Sequence, residues 1–100
     1  MVNKMYTVYD SKAEAFLVPF FMRTKGEALR AWQQAVNDEQ TQFSKYPSDF
    51  TLFEIGEYDD STGTVVMHEA KISLGSALEF KKVVDVVSTP VAPVSMISSN

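Results

Sequence analysis

AFLVPFFMRTKGEALRAW, residues 15–32, holds the junction from which the rest of the fold can be laid out. Its first half, Phe16 to Arg23, is rich in aromatic and β-branched residues and reads as a strand. Pro19 lacks the N–H that a sheet ladder needs, which assigns this strand to a sheet edge or a bulge. The second half changes period. Thr24 and Glu27 have the S/T-x-x-E spacing of a capping box, in which the Thr24 hydroxyl accepts from the Glu27 N–H and the Glu27 carboxylate accepts from the Thr24 N–H. A helix therefore starts at Lys25. Ala28, Leu29, Ala31, Trp32, Ala35 and Val36 then recur at three and four residues as one apolar stripe, with Arg30, Gln33, Gln34 and Asn37 nearer solvent. The stripe assigns Trp32 to the core, and the helix ends near Asn37-Asp38.

Upstream, residues 5–9 (MYTVY) read as a strand joined through DSKAEA to residues 16–23, a first hairpin. Regular alternation along the second strand sets Phe16, Val18, Phe20 and Met22 on one face and Leu17, Phe21 and Arg23 on the other. Downstream, DEQTQFSKYPSD is loop by composition. Residues 50–58 (FTLFEIGEY) read as a strand, Asp59 to Gly63 as a turn with Gly63 at positive φ, and residues 64–68 as the partner strand. The order is β-β-α-β-β, an α+β domain with an antiparallel sheet and one main helix on one face. Ser76 and Glu79 repeat the capping-box spacing, so a short C-terminal helix is expected over 77–84, although its alternation also suits a strand. The domain is expected over 1–87, with the uncharged, proline-containing residues 88–100 as a mobile tail.

With 45% hydrophobic residues in 100, the chain can build one core. The absence of cysteine excludes disulfides, a thiol nucleophile and thiolate metal ligands, and suits a reducing cytoplasm. The beginning, MVNKMYTVYD, has no signal-peptide apolar run, and nowhere do ~18 apolar residues follow one another, so a soluble, unprocessed protein with no membrane association is expected. The net charge of -4 disfavours generic attraction to nucleic acid. The charge is unevenly spread: residues 1–36 carry +2, and residues from 51 onward carry -4.

Catalytic patterns are missing. His68 is the one histidine, whereas a metal site collects three or four ligands and a serine nucleophile needs its own elbow motif, so His68 reads as structural or surface. Glu54 and Glu57, three apart on a strand, are expected on opposite faces, a poor arrangement for paired carboxylates. Asp59-Asp60 lacks the ligand pattern of a calcium loop, and no phosphate loop occurs. No catalysis, cofactor or metal is expected.

What remains is basic and aromatic. Lys12, Arg23, Lys25 and Arg30 are expected to gather on one side of the fold, near Tyr9, Phe20 and Phe21 of the first hairpin. A sheet apolar on both faces but carrying one helix leaves a surface for a second subunit, for the C-terminal segment or for stacked bases. A homodimer is the first expectation.

A longer pattern runs through the chain: Tyr9-Asp10-Ser11-Lys12-Ala13, Phe16, Pro19-Phe20-Phe21, Arg23, Gly26-Glu27-Ala28, Arg30, Val36-Asn37-Asp38, Phe43, Pro47, Asp49 and Leu52-Phe53-Glu54-Ile55-Gly56. Over residues 5–60 it resembles the small nonstructural protein of gokushovirus-type microviruses, phages with circular single-stranded DNA genomes. The resemblance implies a viral accessory protein acting on DNA in the host cytoplasm during genome replication or packaging. Together with the missing catalytic patterns and the basic-aromatic residues, the reading is a non-catalytic protein that binds single-stranded DNA, as a dimer in keeping with the expectation above. It implies no established set of binding residues. Lys12, Arg23 and Arg30 match the pattern, and their assignment to phosphate, with Lys25 beside them and Tyr9, Phe20 and Phe21 against bases, rests on charge and placement. The alternative is an acidic dimeric module that contacts viral replication or capsid proteins.

Overall fold

The computed structural model describes residues 1–82; the expected tail at 88–100 lies outside them. Five strands and three helices follow in order: β1 (Val2–Asp10), β2 (Ala15–Phe16), β3 (Phe20–Met22), α1 (Lys25–Asn37), α2 (Gln42–Lys45), β4 (Phe50–Asp59), β5 (Thr64–Ser76) and α3 (Ala77–Phe80). The fold is α+β, and every strand pair is antiparallel. In the sheet β1 and β4 are central and β5 is one edge, while β2 and β3 lie end to end along the other side of β1.

The expected β-β-α-β-β order is altered at three places. First, the strand around Pro19 is broken in two. Tyr9 faces Phe16 whereas Tyr6 faces Phe20, so three steps along β1 correspond to four along its partner. The extra residue lies in Leu17-Val18-Pro19, where Leu17 alone still reaches β1, its N–H donating to the Val8 carbonyl and its carbonyl accepting from the Thr7 hydroxyl. The proline thus sits both at an edge and in a bulge, where its missing donor costs no ladder bond. Second, the loop DEQTQFSKYPSD folds into α2 and a 3-10 turn at Pro47–Asp49. Thr41 caps α2 by accepting from the Ser44 N–H at 3.1 Å. Third, β5 continues to Ser76: it pairs regularly with β4 over Thr64–Met67, bulges at residues 68–71, and pairs again from Ile72.

The main helix follows the sequence reading. It spans Lys25–Asn37, and Thr24 Oγ1 accepts from the Glu27 N–H at 3.2 Å. Ala28, Trp32 and Val36 bury its stripe against Tyr6, Val8, Phe50 and Leu52 of the central strands, with Ala77 at the margin. Phe43 of α2 closes this core, 5.1 Å from the Trp32 ring and 4.9 Å from Phe50. The short C-terminal helix exists but is confined to Ala77–Phe80; the Ser76 N–H donates to Glu79 Oε2 at 3.0 Å, and Lys81 ends the helix in extended geometry. Asn37 ties the exit to the end of α1, donating to the Phe80 carbonyl and accepting from the Lys82 N–H.

Gly63 closes the β4–β5 turn at φ 71°, as expected. Gly56 has a different task. A Cβ there would lie 2.6 Å from the Val66 carbonyl oxygen and 3.2 Å from Met67 Cα, both backbone atoms. Gly56→Ala therefore forces β5 off β4 and is expected to cost about 1–3 kcal/mol, read as a lowered urea midpoint.

Candidate nucleic-acid interface

The bulge at Pro19 decides which aromatics meet. Side chains alternate along a strand, so an extra residue reverses every assignment beyond it. Phe20 and Met22 keep their place on the helix side, beside Tyr6 and Lys4. Phe16, beside Tyr9, moves to the opposite face, where Phe21 also lies, beside Met5. The expectation that Phe16 and Phe20 share a face is therefore corrected.

No helix among the described residues covers this second face. It carries two aromatic groups. In one, Phe16 lies between Tyr9 and Phe53, with ring centroids 4.8 and 6.0 Å apart. In the other, Phe21 lies 5.7 Å from Tyr58. Phe16 and Phe21 are 45% and 47% exposed. From Tyr9 to Met5 the groups are separated by four residues of β1, roughly 13 Å. Each has a cation nearby in the fold. The β5 bulge brings Lys71 Nζ to 5.3 Å from the Phe16 ring centre, a cation–π distance. Arg23 follows β3 directly after Phe21 and Met22, and its Nε donates to Met1 Sδ at 3.1 Å.

The seven expected binding residues are dispersed. Tyr9 and Phe21 lie on the open face. Phe20 is half-buried on the helix side, stacked 5.7 Å from Tyr6 and packed against the core. Arg23 and Lys25 are exposed at the entrance of α1, near the Lys4 end of β1. Lys12 is exposed in the turn after Asp10, at the other end of that strand, roughly 20 Å away. Arg30 lies on the outer side of α1 beside Gln33, Gln34, Asn37 and Lys82. The cations expected to gather thus divide into the pair Arg23 and Lys25 and two separate residues. Phe16, Phe53, Tyr58 and Lys71 were not among the expected set. The sequence signal for Phe16 was Pro19 itself, once its bulge is allowed to reset the alternation.

The helix side of the sheet also carries a polar cluster. A β-bulge at Ile55 shifts the β1–β4 register between Met5 and Tyr6, and with it Glu54 and Glu57 come to one side. Lys4 Nζ is 4.0 Å from Glu54 and 3.5 Å from Glu57, which corrects the expectation that the two carboxylates face apart. His68 Nε2 lies 2.8 Å from Glu54 Oε2 and joins the start of the β5 bulge to β4, a structural use of the histidine. Among the described residues no three His, Asp or Glu side chains are grouped to hold a metal ion.

Tyr6, fully buried, has no hydrogen-bond partner for its hydroxyl among the described residues. Burial, followed by the charges of Glu54 and Glu27, pushes its pKa up to about 12 from 10.0. The folded state keeps the proton that the unfolded tyrosine gives up near pH 10. The associated stability is present below pH 10 and is lost between pH 10 and 12, by up to about 3 kcal/mol. Urea unfolding at pH 9 and 11.5 should show this loss in the wild type and a smaller one in Tyr6→Phe.

Among the described residues the sheet is antiparallel, with its helices on one face and partly exposed aromatics on the other, which defines a small α+β domain. The sequence profile described as Phage ORF5 protein matches residues 3–80, and the chain belongs to that family. No curated protein and no solved structure matches it.

Proposed function

We propose that this chain is the nonstructural DNA-binding protein of a gokushovirus-type microvirus and that it holds single-stranded DNA across the open sheet face without catalysis. The observation that carries the reading is the pair of aromatic groups on the sheet face that no described helix covers, one beside Lys71 and the other close in the chain to Arg23. Unpaired bases expose their π-faces, and stacking on aromatic side chains tolerates any sequence. A duplex hides those faces, so the single strand is the preferred form. Tyr9, Phe16, Phe21, Phe53 and Tyr58 supply the platforms; Arg23, Lys25 and Lys71 supply phosphate contacts. Lys12 and Arg30 lie outside this path. Family membership supports a phage setting, and the host cytoplasm is where such a protein would meet replicating or packaging genomes. No helix among the described residues is long and apolar enough to cross a membrane.

The net charge of -4 keeps the electrostatic contribution local. Three phosphate contacts on a single strand correspond to a slope of roughly -2 in log K against log salt, at about -0.7 per contact. Titration of a labelled single strand and a duplex across a salt series tests this. Arg23→Ala combined with Lys25→Ala should flatten the slope to roughly -0.7. No binding at low salt overturns the reading in favour of an acidic dimeric module contacting viral replication or capsid proteins. The exposed apolar residues Val65, Val66 and Met67 on β5 favour that second reading.

A further inference from the structure

The outer edge of β5 has no strand beside it among the described residues. Its first segment, Thr64–Met67, is in regular register with β4 and holds three consecutive apolar residues, Val65, Val66 and Met67, which are 47%, 60% and 55% exposed. Edge strands are usually protected by charges, prolines, bulges or shortness. The other edge of this sheet has such protection in Pro19 and its bulge. Thr64–Met67 has no charge, no proline and no bulge.

We propose that this segment pairs, antiparallel, with the same segment of a second copy of the chain, around a two-fold axis at Val66. Free N–H and C=O groups along an edge are satisfied in series only by another extended strand. A two-fold axis through the shared sheet requires a residue to face itself, because directly opposite side chains point to one side. Centring on Val66 sets Val65 opposite Met67 of the second copy, and Met67 opposite its Val65. Thr64 then faces His68, and Glu69 and Lys71 fall outside the paired stretch. No like charges are brought face to face. The charge pattern thus favours self-pairing even though the chain as a whole is acidic.

The interface is small. Five residues a side bury less than the ~800 Å² per partner of a standard stable interface, so the dimer forms and dissociates at micromolar concentrations. Its geometry has a consequence that rests on the DNA reading above. The axis is perpendicular to the sheet, so the open aromatic faces of both copies lie on the same side. A strand long enough to cross both links DNA binding to dimerisation, and each strengthens the other by the same factor.

The chain has no cysteine, which makes a direct test available. Opposed residues across an antiparallel pair have Cα atoms about 4.5–5.5 Å apart, within the span of a disulfide. Under mild oxidation Val66→Cys should form a cross-linked dimer in high yield. Val18→Cys, the most exposed large apolar residue among those described at 87%, should link at least tenfold more slowly. In sedimentation runs Val66→Lys should raise the dimer dissociation constant at least tenfold, with an unchanged circular dichroism spectrum. A wild type that stays monomeric to high micromolar concentration overturns the proposal, as does equal or faster linkage through Val18→Cys. Cross-linking at Val66→Cys without any DNA binding supports the edge and contradicts the DNA reading alone.

Discussion

Phe21→Ala combined with Phe16→Ala is expected to abolish measurable single-stranded DNA binding under conditions where the wild type is half saturated. Each ring stands at the exposed centre of one aromatic group, and removing one stacking platform costs about 1–3 kcal/mol, roughly 5- to 150-fold in affinity. Loss of both compounds the effect if the two groups receive different bases, as their separation along β1 allows. Both side chains are nearly half exposed, so the fold should survive, and unchanged circular dichroism would separate lost binding from lost structure. Phe20→Leu is the informative contrast. That ring lies against Tyr6 on the other side of the sheet, so its replacement should lower stability and leave DNA affinity within about twofold. Affinity loss with Phe20→Leu as great as with the double variant would show that the two faces have been assigned the wrong way round.

Trp32→Ala should have the largest effect on stability. The indole is 3% exposed, sits over the central strands and packs on Phe43. Truncation of a buried tryptophan leaves a cavity as well as lost transfer energy, about 3–5 kcal/mol. A domain of this size has roughly 4–12 kcal/mol in total. The variant is therefore expected to be substantially unfolded at 37 °C or to melt far below the wild type. Trp32→Phe keeps a ring against Phe43 and should cost clearly less. Because Trp32 is the one tryptophan, the measurement has to be circular dichroism or calorimetry; intrinsic tryptophan fluorescence would vanish with the residue itself. A Trp32→Ala melting point within a few degrees of wild type would contradict the assigned core.

Elements fixed by local chemistry were legible in the sequence. The Thr24 cap, the apolar stripe through Ala28, Trp32 and Val36, and the turn at Gly63 each follow from residues within one or two turns of chain, and each is found where its residues imply. What escaped was register. An edge strand can be recognised from Pro19, but the number of residues that its bulge adds is set by pairing with β1. That count decides whether Phe16 lies with Phe20 or with Phe21. The bulge at Ile55 is of the same kind: nothing in FTLFEIGEY marks the shift that turns Glu54 and Glu57 toward Lys4. β5 illustrates a third limit. The expected partner strand stops at residue 68, although Ala70, Ile72 and Leu74 alternate with Glu69, Lys71 and Ser73 as a strand does, and this stretch regains pairing with β4 after the bulge. Lys71 comes over Phe16 through that irregularity, which is why the acidic half of the chain gave no hint of contributing a cation to this face. The basic residues of the first half were conspicuous by composition, but the strand directions carry Lys12 to the far end of β1 and α1 turns Arg30 away from the open face.

The proposed function places single-stranded DNA on the sheet face opposite α1. The most direct measurement is a titration of isotope-labelled protein with a short oligonucleotide, following amide and aromatic-ring resonances at low salt. That placement predicts saturable shifts of Tyr9, Phe16, Phe21, Phe53 and Tyr58, with Arg23 and Lys71 at the margins, while Arg30, Gln33 and Gln34 on the outer side of α1 stay in place. Shifts confined to α1, or none at all with an excess of oligonucleotide, would contradict it.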